Sequence, residues 1–136
     1  MSKSFVIAAL ATILSAPAFA QIDIVIDKRT QTMTVAEDGD PIAYWPVSTA
    51  RQGYYTPTGH FRPQSMQPMH YSKKYDNAPM PHSIFFSGGY AIHATPHLSN
   101  LGRPASHGCV RLAPEHAAHL YRIVGENLYD TNITIQ

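Results

Sequence analysis

Ile22, Ile24 and Ile26 alternate with Asp23, Val25 and Asp27. That period of two predicts a strand with one well-marked apolar face. Thr32 to Ala36 is rich in β-branched residues and follows the polar segment Lys28-Arg29-Thr30-Gln31, so the two runs read as a hairpin. Glu37-Asp38-Gly39-Asp40-Pro41 is a turn cluster. Ile42 to Thr49 is expected as a third strand, and Pro46 places it at an edge or a bulge. Thr56-Pro57-Thr58-Gly59 is a turn that leads into a short strand at His60 to Arg62. From Pro63 to Pro81 the alternation is lost, and a long irregular loop is expected. Its Tyr71, Tyr75 and Lys73-Lys74 suit either a lid over a groove or a solvated loop. Ser83 to Ser87 and Tyr90 to His93 are two strands joined at Gly88-Gly89, which puts His93 at a strand end. Thr95 to Ala105 is a Pro/Gly/Asn loop. Pro114 suits the first turn of a helix, Ala117, Leu120, Tyr121 and Val124 recur at helical spacing, and Gly125 fits the stop. Ile133 and Ile135 alternate with Asn132 and Thr134 as a closing strand. Many short strands with one helix predict a mainly β domain.

The first twenty residues break this pattern. Lys3 precedes an apolar run from Phe5 to Leu14, and Ala18-Phe19-Ala20 has the small-residue form of a cleavage site. Residues 1–20 are therefore expected to be a signal peptide, and 21–136 the exported domain. The run is short for a membrane span, which disfavours an uncleaved anchor. The chain has 10 Lys+Arg and 9 Asp+Glu; without Lys3 the domain is balanced at 9 and 9. That balance gives no reason to expect nucleic acid as a partner.

Candidate chemistry centres on Ser106-His107-Gly108-Cys109-Val110-Arg111-Leu112, which contains the only cysteine. Exported proteins usually pair their cysteines, so a lone thiol points to a reactive group or an intermolecular partner. A free thiol titrates near ~8.5 and needs a base or a positive environment to react at neutral pH. His93 and His107 are candidate bases, and Gly108 permits a sharp turn before the thiol. A buried cysteine acting as a small hydrophobe is the plain alternative, and the flanking His, Gly and Arg are a poor setting for it. With His93 ending a strand, the pair is a candidate base and nucleophile for acyl transfer. Main-chain N–H groups around Gly108 and Cys109 are candidates to stabilise an oxyanion.

These segments resemble the L,D-transpeptidase catalytic domains of the YkuD type. The resemblance rests on Ile92-His93-Ala94, Leu101 to Ala105, and Ser106 to Leu112. It extends to Pro46-Val47-Ser48-Thr49, to Thr56-Pro57-Thr58-Gly59-His60-Phe61, and to Met80-Pro81 before Ile84-Phe85-Phe86. It implies a β-sandwich of mixed sheets with one main helix after the cysteine. It also implies Cys109 as nucleophile, His93 as base and later acid, and Ser106, His107 and Gly108 as the oxyanion loop. The carbonyl of Ala94, where family members often have Gly, would orient the imidazole. Arg111 would either anchor the loop or meet a substrate carboxylate. Ala113 stands where some members carry Asn.

The activity so implied is peptidoglycan cross-linking. A tetrapeptide stem donates its third residue, diaminopimelate, to the thiol, terminal D-alanine leaves, and a stem amine takes the acyl group to give a 3→3 link. Water as acceptor would make the enzyme an L,D-carboxypeptidase, and a lipoprotein lysine would make it an anchoring enzyme. The resemblance calls for no cofactor and no metal, and the expectation is a monomer in the periplasm or cell-wall space. Two readings from other classes compete. His93, His97, His107 and Cys109 offer zinc-type ligands, and His116 and His119 lie three apart on the helix, more in keeping with a solvated face. A non-catalytic wall-binding module would use the same groove, but it would not need both Cys109 and His93.

Overall fold

The computed structural model describes residues 2–12 and 19–136. Ile13 and Leu14 of the apolar run and Ala18 of the cleavage site lie outside the described residues. Residues 2–12 form no helix or strand, and Phe5, Val6, Ile7 and Leu10 are exposed. Among the described residues no helix is long and apolar enough to cross a membrane.

The alternation at the start of the domain does what it predicts. β1 (Ile22–Asp27) buries Ile22, Ile24 and Ile26 completely on one face. It pairs antiparallel with β2 (Thr32–Glu37), which buries Met33 and Val35. β2 turns through Asp38 and Gly39, both at positive φ, into β3 (Asp40–Pro46). Such a two-residue turn matches the twist of paired strands. β3 is the edge strand, as Pro46 suggests, but it ends at Pro46 and does not reach Thr49. Beyond it the chain leaves the sheet, and Ser48 and Ala50 bridge instead to Arg111 and Ser106.

β4 (Gly59–Phe61) and β9 (Thr131–Ile135) complete a five-stranded sheet in the order β3-β2-β1-β9-β4. β9 runs parallel to β1, so the sheet is mixed.

The second sheet has the order β5-β6-β7-β8, from β5 (Ser65–Ser72), β6 (Ala78–Ser87), β7 (Tyr90–Ala94) and β8 (Val110–Leu112). β7 and β8 are parallel, with His93 opposite Arg111. This corrects the expected loop over residues 63–81, most of which is a hairpin arm. Its prolines are tolerated for a geometric reason. Pro68 is on the edge strand, and Pro79 and Pro81 lie in the part of β6 that pairs with β5 alone. A proline cannot donate to a ladder, so it is tolerated where only one side of its strand is paired. Asp76 and Asn77, both at positive φ, turn the tip, and Ala78 N–H donates to Tyr75 O at 3.0 Å.

Helix α1 (Pro114–Glu126) seals the core with Ala117, Leu120, Ile123 and Val124. It runs past Gly125, the expected stop. Asn127 ends it instead: its side-chain amide donates to Ile123 O at 2.9 Å, and its own carbonyl accepts from Thr131 Oγ1 at 2.7 Å. His116 is not on a solvated face either. Its ring stacks on Trp45 at 4.7 Å between centroids, and its Nδ1 is buried without a partner among the described residues. Both sheets and α1 share one apolar core.

Candidate active site

Alternation in the second sheet sorts side chains into two sets. Ile84, Phe86, Ile92, Val110 and Leu112 face the shared core. Phe85, Ala91, His93, Cys109 and Arg111 lie on the intervening positions, and so on the opposite face. There Phe85 and Ala91 pack with Met80 and Cys109 as a small second cluster. The hairpin arm of β5 and β6 stands over this face. Together they enclose a cavity of about 560 Å³ lined by His93, Cys109 and Arg111 with His70, Lys73, Lys74, Tyr75, His97 and His107.

His93 is buried, at 7% exposure, and its Nδ1 lies 2.8 Å from the carbonyl of Ala94. A carbonyl only accepts, so Nδ1 carries the proton and Nε2 is left as the acceptor. Burial lowers the imidazole pKa to about 4, against the smaller opposing effect of the Ala94 bond. His93 is thus a neutral imidazole at physiological pH. The Cys109 thiol is pushed up by burial, with a main-chain hydrogen bond from Ala91 and the charge of Arg111 pulling the other way. The Sγ hydrogen donates weakly to Gly89 O at 3.9 Å. Among the described residues Cys109 and His93 form no direct hydrogen bond. The site therefore holds a neutral thiol and a neutral imidazole in one cavity, not an ion pair. Catalytic hydrogen bonds are often loose before substrate enters.

The loop before the thiol is fixed by hydroxyls. Ser106 Oγ accepts the Gly108 N–H at 3.0 Å and donates to Cys109 O at 2.6 Å. Thr56 Oγ1 donates to Gly108 O at 2.7 Å. The Gly108 N–H is therefore held by the Ser106 hydroxyl. Gly108 itself is required: its φ is +139°, and a Cβ there would meet the Tyr90 ring at 2.7 Å and Tyr55 O at 2.8 Å. Thr56 was not singled out from the sequence, because its partner lies 52 residues away. The Thr-Pro-x-Gly turn was the available signal.

His107 points away from the role of base. Its ring lies between Tyr54 at 4.7 Å and Tyr75 at 4.2 Å, joining the 51–55 segment to the hairpin tip. Burial first, then Arg51 and Arg111, lower its pKa. Arg111 is half-buried, and the charges acting on it are those of Cys109 and Arg51, with no carboxylate among them. An ordinary anchoring ion pair is thus not what holds it. No group of three His, Cys, Asp or Glu side chains among the described residues is placed to hold a metal ion.

A family model described as the L,D-transpeptidase catalytic domain matches residues 21–133. A search of curated proteins finds no significant match. Among solved structures, an L,D-transpeptidase from Mycobacterium smegmatis is 25% identical with a TM-score of 0.78, over 86% of this chain and 59% of its own. An L,D-transpeptidase from Stackebrandtia nassauensis is 26% identical with a TM-score of 0.75, over 95% of this chain and 60% of its own. One from Mycobacterium tuberculosis H37Rv, at 23% identity and a TM-score of 0.78 over 86% of this chain and 58% of its own, shares the fold. The chain thus spans about three fifths of the length of these solved chains.

Proposed function

Because the chain belongs to the L,D-transpeptidase catalytic domain family, we propose that it is a cysteine acyltransferase of peptidoglycan stem peptides, exported to the periplasm or cell-wall space after loss of residues 1–20. The observation that carries this reading is the shared cavity. His93, with Nε2 free, and the single cysteine thiol both line it.

Sulfur attacks the carbonyl of the third residue of a tetrapeptide stem, diaminopimelate, as the thiol proton passes to His93 Nε2. A C–S bond forms, and the carbonyl π electrons move onto oxygen. Collapse of this intermediate breaks the C–N bond to D-alanine, whose nitrogen takes the proton from His93. An acceptor amine then attacks the thioester and gives its proton to His93. The C–S bond breaks and the thiol is restored. Bond energy is held in the thioester, so the reaction consumes no nucleotide.

Charge supports a donor with free carboxylates. Two lysines, one arginine and four histidines line the cavity, and no Asp or Glu is among them. Arg111, free of a carboxylate partner, suits a substrate carboxylate, which a guanidinium can grip with two parallel bonds. Product analysis on tetrapeptide stem tests the reading. Release of D-alanine with a 3→3 dimer is expected. Tripeptide as sole product would make the enzyme a carboxypeptidase, and transfer only to a lipoprotein lysine would make it an anchoring enzyme. No D-alanine release from any of these mixtures would overturn the reading.

A further inference from the structure

The main chain at Gly108 and Cys109 offers four polar groups. Ser106 Oγ takes two of them, the Gly108 N–H and the Cys109 carbonyl. The Gly108 carbonyl is held by Thr56, which is buried at 2% exposure in the turn facing the loop. Thr56 Oγ1 also accepts the Ala50 N–H at 3.0 Å. A hydroxyl has one proton, so the orientation of Thr56 is settled: it accepts from Ala50 and donates to Gly108. The remaining group, the Cys109 N–H, donates to no protein acceptor among the described residues.

Geometry says where that N–H points. The described chain contains no cis peptide bond. In a trans peptide the carbonyl and the following N–H point in opposite directions. By turning the Gly108 carbonyl inward, Thr56 turns the Cys109 N–H away from the buried turn, beside its own thiol. We propose that Thr56 is a positioning residue for acyl transfer, aiming the Cys109 N–H at the oxyanion formed when the thiol attacks a carbonyl. This rests on the acyl-transfer reading of Cys109. Thr56 does not line the cavity; it acts through the peptide plane.

A purely structural role would affect every reaction of the thiol alike, whereas a positioning role would not. Iodoacetamide alkylates sulfur by displacement at a saturated carbon, with no oxyanion. A carbapenem acylates it through a tetrahedral oxyanion. Both rates are measured on Cys109 of the wild type, Thr56→Val and Thr56→Ser, using intact mass. Losing one oriented oxyanion donor costs ~100- to 1,000-fold, so Thr56→Val should slow acylation by up to that factor and leave alkylation within about twofold. Thr56→Ser keeps the hydroxyl and should restore acylation. If Thr56→Val does not fold, Thr56→Ala is measured in the same two reactions. Acylation at the wild-type rate, or equal slowing of both reactions, would overturn the assignment. A wild type that alkylates but never acylates would instead overturn the acyl-transfer reading.

Discussion

The first hairpin and the cysteine loop are held together by opposite means. In β1 and β2 apolar side chains do the work: Ile22, Ile24, Ile26, Met33 and Val35 are all fully buried, and the strands pair in register from Ile22 to Asp27. In the loop, side chains grip the backbone. Ser48 Oγ donates to Arg103 O at 2.7 Å, and Thr56 and Ser106 fix Gly108 and Cys109. All three hydroxyl residues are buried. Apolar burial is non-directional and scales with area, so it sets stability. Hydrogen bonds are directional and each is worth only about 1 kcal/mol net, so what they supply best is orientation. Damage to the first region should thus appear as lost stability, and damage to the second as lost reaction.

The sharpest break in that contrast is Cys109→Ala. It removes one half-buried sulfur outside the main core and should change the melting temperature little while abolishing D-alanine release. His93→Ala comes next. Loss of a general base typically costs ~100- to 10,000-fold in turnover, and partial recovery is expected as pH rises and the thiol ionises unaided. For the wild type the rate should fall as pH drops through about 4, where His93 takes a proton. The same residue has a stability signature with a definite sign. Its folded pKa of about 4 lies below the unfolded 6.5, so the unfolded chain binds the proton more readily. Stability should therefore decline as pH falls from 6.5 towards 4, by a total of about 3 kcal/mol, and His93→Ala should flatten that part of the curve in denaturant titrations.

Ile24→Ala probes the other region. Truncating a fully buried side chain costs ~2–5 kcal/mol, while turnover per folded molecule should stay at the wild-type level. Equal losses of stability and turnover there would break the contrast. The smallest effect belongs to Tyr75→Ala at the hairpin tip. Aromatic pairs are worth ~0.5–1.5 kcal/mol, so freeing the tip from His107 should change KM by no more than about tenfold, with kcat nearly kept.

Those two regions also differ in how far they could be read from the sequence. The isoleucines of β1 announce their strand because each local residue choice reports its own burial. The cysteine and its histidine were visible too, since a lone thiol beside His and Gly is chemically conspicuous. β8 was not, because three residues carry no period and its parallel partner lies on a separate strand. The hairpin over 65–87 was hidden by Pro68, Pro79 and Pro81, whose harmlessness depends on which strand edge is unpaired. Thr56 and Asn127 act through hydrogen bonds to main-chain atoms, and nothing in a side chain's identity names a backbone partner. His116 looked solvated because helical spacing does not reveal that Trp45 covers it.

Acyl transfer through a thioester is tested most directly by trapping the intermediate. Wild-type protein is mixed with tetrapeptide stem, quenched in acid within the first turnover, and the Cys109 peptide is weighed. The expected result is a tripeptide acyl group on Cys109 with one equivalent of D-alanine released, and neither product from Cys109→Ala. D-alanine release by Cys109→Ala at the wild-type rate would contradict it.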